Sequence, residues 1–332
     1  MRHLATDSSI RSNWSHWALR LIGLALLGVI AMKVGKKALL YEISSTRWPF
    51  VVVAAALSAG HFCMKAGRWH YILHQRGVSV SHSRTIVAYC AGALIGALTP
   101  GRIGELSKVA FVRMWRKDCS WGTAFGTVVL DRIADVTVLI LVATAGTIWF
   151  VLPGGLRLTG GMVAVLFLAS GIVVGAFVWK QSNSSLVGGK VAETLRHKLG
   201  AGGKDFWVTL KVGTGRSVCL IVLWTSLAYV LFFAHFVFLG RAVGSEISPT
   251  VLGWAIAIAS LGAILPISIS GIGVRDYILV QVFTAWKETS ARALAVSLLY
   301  LGVFNVVVAA MGIWPFLAGD IDFKTIQKGE SK

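Results

Sequence analysis

The sequence predicts an all-α polytopic membrane protein of about six full spans plus two broken re-entrant helical hairpins, arranged as an inverted-topology repeat. Three observations lead there. Hydrophobic residues make up 56% of the 332 positions and charged residues 14%, with a mean hydropathy of +0.73; a soluble domain carries about 25% charged residues. Several apolar runs reach the roughly 20 residues that a helix needs to cross a bilayer. Two further runs, half a chain apart, break in the same way. One reads Gly96-Ala97-Leu98-Thr99-Pro100, then Gly101-Arg102-Ile103-Gly104-Glu105; the other reads Gly262-Ala263-Ile264-Leu265-Pro266, then Gly271-Ile272-Gly273-Val274-Arg275-Asp276.

The first span is expected at about 18–33. Arg2, Arg11 and Arg20 precede its apolar core, and no small-x-small cleavage site follows, so it reads as an uncleaved span and not a signal peptide. A basic linker, 33–47, leads to a second span at 48–66. The first broken segment covers about 84–113. Spans at 122–151 and 159–179 follow, joined by a short turn at 153–158. The polar stretch 180–216 reads as a loop with a short surface helix. A span at 216–240, the second broken segment at 250–285 and a last span at 292–316 complete the membrane part. Trp17, Trp48, Trp121, Trp149, Trp179 and Trp314 mark span ends, where indole rings favour the headgroup level. All of 1–332 is one transmembrane domain, with pseudo-repeats at about 18–152 and 153–316 and a short polar tail at 317–332.

Charge sets the orientation. Basic residues flank the first broken segment on both sides (Lys65, Arg68, Arg76 and Arg84 before it, Arg113, Arg116 and Lys117 after it), and the loop 180–216 is basic too. These parts are expected in the cytoplasm, with both termini. The turns at 153–158 and 241–249 carry little net charge and are expected outside. The linker 33–47 conflicts, holding Lys33, Lys36, Lys37 and Arg47 against Glu42. On this assignment the two broken segments dip in from opposite faces. The alternative is that each is one kinked full span.

The net charge of +18 belongs beside an anionic leaflet, because no soluble basic surface is large enough for nucleic acid. Cys63, Cys90, Cys119 and Cys219 lack metal or redox spacing and read as small buried side chains. His70 and His74 are four apart but have no evident third ligand, and His235 reads as a satisfied interior side chain. No metal and no cofactor are expected.

Paired interruptions in two halves of a membrane protein point to a transporter's substrate site, since lipid tolerates broken backbone only where it is buried or lines a wet cavity. The candidate substrate-binding residues are Arg102, Glu105, Asp131, Arg132, Asp135, Arg275 and Asp276. The candidate turn residues are Pro100, Gly101, Gly104, Pro266, Gly271 and Gly273. Asp131 and Asp135 share a helix face and lie about 15–20 Å along the helix from Trp121, near mid-depth. A charge there costs about 2.5–3.5 kcal/mol or more, so it must be paired and face inward. They read as a proton or headgroup site, or as a structural ion pair. Arg102 and Arg275 each offer a planar fork for phosphate; each also has a neighbouring acid that could simply hold the turn.

The run Leu98 to Leu106, the segment Asp131-Arg132-Ile133-Ala134-Asp135, and Pro266 through Asp276 together resemble the flippase-like membrane family, also called the lysylphosphatidylglycerol synthase transmembrane region. The resemblance covers about 20–316. It implies translocation of a lipid across a cytoplasmic (inner) membrane. No soluble aminoacyltransferase domain follows the last span, so lysyl transfer is not implied, and the family's usual Glu is Asp276 here. No Walker A loop, GxSxG, HExxH or CxxC pair is present. The reading is therefore a gradient-driven lipid translocase, not an enzyme, moving an anionic or phosphate-linked lipid. Lipid-synthesis enzymes are expected as partners. The alternatives are a membrane-embedded lipid-modifying enzyme and a non-transporting partner of a lipid-synthesis complex.

Overall fold

The computed structural model describes residues 28–30, 32, 34–99, 101–150, 202–210, 215–264, 268 and 271–317. The expected span at 159–179, the turn at 153–158, Pro100, Pro266, most of the first span, most of the loop 180–216 and nearly all of the polar tail lie outside these residues. The described part is all α-helical, with no strand.

Ten helices are labelled here. They are α1 (Lys36–Ser44), α2 (Trp48–Gln75), α3 (His82–Ala97), α4 (Ser107–Trp115), α5 (Trp121–Phe150), α6 (202–210), α7 (Gly215–Ala242), α8 (Pro249–Ile264), α9 (Val274–Ala285) and α10 (Ser290–Leu317). A 3-10 turn, Ile103–Leu106, leads into α4. Among the described residues four helices are long and apolar enough to cross a membrane: α2, α5, α7 and α10. The linker expected at 33–47 is helical over α1. A short amphipathic stretch ended by Ser45 accounts for this, with Glu42 turned inward to Arg292 and Thr289.

The limbs of the two broken segments are too short to span alone. At 1.5 Å per residue, α3 and α8 are each about 24 Å long, α4 about 14 Å and α9 about 18 Å, against a core of about 30 Å. Each pair instead folds back on itself. A methyl added to Gly104 would stand 2.5 Å from the Ile95 carbonyl oxygen, so the first turn lies directly against α3. Gly101 and Arg102 are both left-handed, at φ 60° and 56°. Thr99 Oγ1 accepts from the Gly104 N–H at 2.7 Å and closes the loop. In the second segment Gly271, at φ 75°, sits against Ala263, and Asp276 accepts from the Gly273 N–H at 2.7 Å to cap α9.

The centre of the bundle is the antiparallel pair α2 and α7. Its direction is fixed by matched contacts: Arg47 N–H to Ala242 O, His235 to Ala54 O, His61 to Ala228 O, and Tyr71 to Ser217. These contacts also define two ends. Arg116 bonds Ser79 O beside the Tyr71 end, so the base of the first hairpin is there. Glu288 receives the Ser245 hydroxyl and the Glu246 N–H beside the Ala242 end, so the base of the second hairpin is at the other. Helix lengths run in parallel through the two halves: 28, 16, 9 and 30 residues for α2 to α5, then 28, 16, 12 and 28 for α7 to α10.

Candidate functional site

The polar centre is built on α2, α5 and the first hairpin. α2 continues nine residues past the apolar stretch to 66, and its last turns carry Lys65 and Arg68 into the interior, both buried. Arg68 faces the two acids of α5. Its Nε and Nη2 donate to Asp131 Oδ1 at 3.0 and 2.7 Å, Nη2 also reaches Asp135 Oδ1 at 2.8 Å, and Nη1 bonds Thr225 Oγ1 of α7 at 2.9 Å. Lys65 pairs with Asp135 Oδ2 at 2.7 Å. Lys108 of α4 and the Tyr89 hydroxyl of α3 both bond Asp131 Oδ2 at 3.1 Å. Asp131 and Asp135 share a face because they are four apart, and that face meets cations from two other elements.

Glycines on α3 make the crossing from α4 to α5 possible. A methyl on Gly92 would stand 2.7 Å from Lys108 Cγ, and one on Gly96 would stand 2.5 Å from Glu105 Cγ. The two positions are four apart, and together they form a groove through which Lys108 and Glu105 pass. Glu105 then pairs with Arg132, and it lies 3.8 Å from Arg102 and 3.9 Å from Lys108. Arg102 stacks on Phe304, 5.6 Å from the ring centroid, and its buried Nε has no hydrogen-bond partner.

The second hairpin is simpler. Arg275 Nε donates to Ser297 Oγ of α10 at 2.7 Å, the Ser297 hydroxyl donates to Asp276, and Arg275 and Asp276 are 3.5 Å apart. The Arg275 guanidinium lies 4.8 Å from the Tyr300 ring.

Both hairpins reach one cavity. Lys65, Arg102, Arg132, Asp135 and Arg275 line it, with aromatic walls from Tyr229, Phe232 and Tyr300. Its volume is about 60 Å³, enough for a few water molecules and too small for a lipid headgroup. Of the seven sequence-predicted substrate residues, four line this space: Arg102, Arg132, Asp135 and Arg275. Glu105 lines an adjoining space shared with Lys65 and Arg102. Asp131 and Asp276 lie behind the wall, Asp131 on Arg68 and Lys108 and Asp276 beside Arg275. Gly101, Gly104, Gly271 and Gly273 form the turns.

Sequence reasoning placed Lys65 and Arg68 among the basic flanks of the first hairpin and left Lys108 out. The structure puts all three inside. A basic residue after an apolar run looks the same whether it meets water or an acid from a distant helix. The signal that could have found them was numerical: two buried acids at mid-depth need cations, and only nearby span-end residues could supply them.

His61 was also missed, whereas His235 is the buried interior side chain that the sequence predicts. Each Nδ1 faces a main-chain carbonyl, at 2.8 Å from Ala228 O and 2.7 Å from Ala54 O. A carbonyl only accepts, so Nδ1 carries the hydrogen in both rings. His61 lines the cavity, and His235 the adjoining space. Among the described residues no group of three His, Cys, Asp or Glu side chains is placed to hold a metal ion.

Comparison with known proteins adds the family. The model for the lysylphosphatidylglycerol synthase TM region matches residues 17–312. Two archaeal proteins are similar in sequence. The UPF0104 membrane protein PH1989 of Pyrococcus horikoshii is 27% identical over 122 residues, 36% of each chain. The UPF0104 membrane protein MJ1595 of Methanocaldococcus jannaschii is 20% identical over 310 residues, 89% of this chain and 92% of the relative. The match thus spans little more than a third of the first relative's length and nearly all of the second's. No solved structure matches.

Proposed function

The chain belongs to the lysylphosphatidylglycerol synthase transmembrane-region family, and from that premise we propose that it is a lipid translocase, not an enzyme, moving an anionic or phosphate-linked lipid between leaflets of the cytoplasmic membrane. The observation that carries this reading is the cavity between the two hairpins, lined by Lys65, Arg102, Arg132 and Arg275 against Asp135. Guanidinium forks grip phosphate bidentately. Short half-helices entering from opposite ends give each side of the membrane a movable element next to the same site.

In this reading the paired helix lengths are an inverted repeat, and alternating access rocks the hairpins against the fixed pair α2 and α7. The base of the first hairpin and both termini face the cytoplasm. The drive is a proton or substrate gradient. Lipid-synthesis enzymes are the partners that would supply or take up the lipid.

Reconstitution tests it. Purified protein in vesicles with a headgroup-labelled anionic lipid should give leaflet exchange, read by quenching from outside. Arg102→Ala and Arg275→Ala should abolish exchange while leaving protein in the membrane, and Arg→Lys should restore it only in part, because an ammonium cannot make the two-pronged contact. Chemical conversion of the lipid without exchange would overturn the translocase in favour of an enzyme.

A further inference from the structure

The charges around the cavity do not balance. Six cations, Lys65, Arg68, Arg102, Lys108, Arg132 and Arg275, stand against four carboxylates, Glu105, Asp131, Asp135 and Asp276. Among the described residues this leaves an excess of two positive charges. The neighbouring titratable groups do not change the count. The Tyr89 hydroxyl donates to Asp131 and is therefore neutral. His235 uses Nδ1 on a carbonyl while its Nε2 is buried without a partner, so a second proton there would be stranded. His61 has the same carbonyl contact and lies beside Lys65 in the cavity wall.

The excess is unevenly placed. Asp131 sits among Arg68, Lys108 and Tyr89 with its oxygens fully used. Arg275 is answered by Asp276. The uncompensated charge falls at the Lys65, Arg102 and Arg132 side of the cavity, where the buried Nε of Arg102 has no partner. Uncompensated charge in a low-dielectric interior is costly, and a counter-charge of equal size relieves it.

Resting on the translocase reading, we propose that the headgroup taken into this cavity is a dianion: a phosphate monoester at the end of a lipid, not a phosphodiester or a zwitterion. A monoester carries close to two negative charges above its second pKa of about 6. It also presents three terminal oxygens, enough for Arg102, Arg132 and Arg275 together. A phosphodiester brings one charge and leaves the site one positive; a zwitterion leaves it two positive.

Binding and exchange are measured separately, so that the two readings fail separately. Detergent-solubilised protein is titrated at about pH 8, where the monoester is a dianion, with short-chain phosphatidic acid, phosphatidylglycerol and phosphatidylcholine, and with inorganic phosphate, following thermal stabilisation. The monoester lipid should stabilise at roughly ten-fold lower concentration than the diester, the size expected of one extra charge on a partly screened site, and the zwitterion should not stabilise. Equal potency of monoester and diester overturns the proposal. Stabilisation by inorganic phosphate as potent as by the monoester lipid overturns its lipid part. Arg132→Gln reduces the excess to one and should bring monoester and diester to near parity; an unchanged ratio overturns the charge argument. Arg102→Gln carries the same expectation if Arg132→Gln fails to fold. Vesicle exchange then reports on translocation alone: dianion-selective binding with no exchange removes the translocase and keeps the headgroup assignment.

Discussion

The two hairpins share a backbone plan and differ in how they are held. In both, a 16-residue limb meets a shorter limb across a turn with left-handed residues. The first sends Glu105 and Lys108 through its own glycine groove into a network of eight charged groups shared with α2 and α5. The second carries one Arg and one Asp, closed by a single serine of α10. A shared scaffold can therefore serve two tasks. The first hairpin is anchored to the charged centre, while the second is a limb with few polar ties, suited to moving against it.

The all-or-none way to break this comparison is topological. In a Cys-free background, single cysteines at Ser83 and Ser120 should label from one side only and a cysteine at Glu246 from the other. Labelling of Ser83 and Ser120 from opposite faces would make the first hairpin a full span.

Stability should then separate the two anchors. Asp131→Ala strands Arg68 and Lys108 and should cost about 3–5 kcal/mol, with little folded protein recovered. Asp276→Asn leaves Arg275 on Ser297 and should cost about 1.5–3 kcal/mol. Thermal unfolding in detergent measures both, and equal losses would mean that the hairpins are held equally. A methyl at each turn sharpens the same contrast. Gly104→Ala meets the Ile95 carbonyl, which cannot step aside, whereas Gly262→Ala meets the Val274 side chain at 2.8 Å. Overpacking costs about 1–3 kcal/mol, with Gly104 expected at the upper end and Gly262 at the lower.

The smallest effect belongs at the base of the first hairpin. Arg116 donates to exposed Asp118 and holds its carboxyl down at about 2. A depressed acid contributes above its ordinary pKa and loses that contribution only as pH falls toward the lowered value. Its full contribution is thus present between about pH 5 and 8, but water screens this exposed pair, so Asp118→Asn should lower stability only marginally, by the same amount across that range, and leave exchange unchanged. A clear change would show that this loop also anchors the hairpin.

Much of the architecture was legible in the sequence. Apolar run length placed α2, α5, α7 and α10, and the Gly and Pro breaks placed the hairpins. Spacing alone put Asp131 and Asp135 on one face. What was not legible was the far side of each contact. The Arg68–Asp131 pair joins residues 63 apart, and the His235–Ala54 bond joins residues 181 apart. Nothing local marks such partners, because long-range packing selects them. The helical 36–44 segment was hidden for the same reason: its buried Glu42 is answered from α10.

The order of the chain has a consequence for how the protein is made. Arg68 and Lys108 leave the ribosome before Asp131 does, and in the finished bundle each relies on that acid. Until residue 131 arrives, neither cation has its counter-ion, and releasing α2 or the first hairpin into lipid alone would expose the full insertion penalty. The first half is therefore expected to wait at the insertion machinery and enter the bilayer as one unit, once α5 has been synthesised.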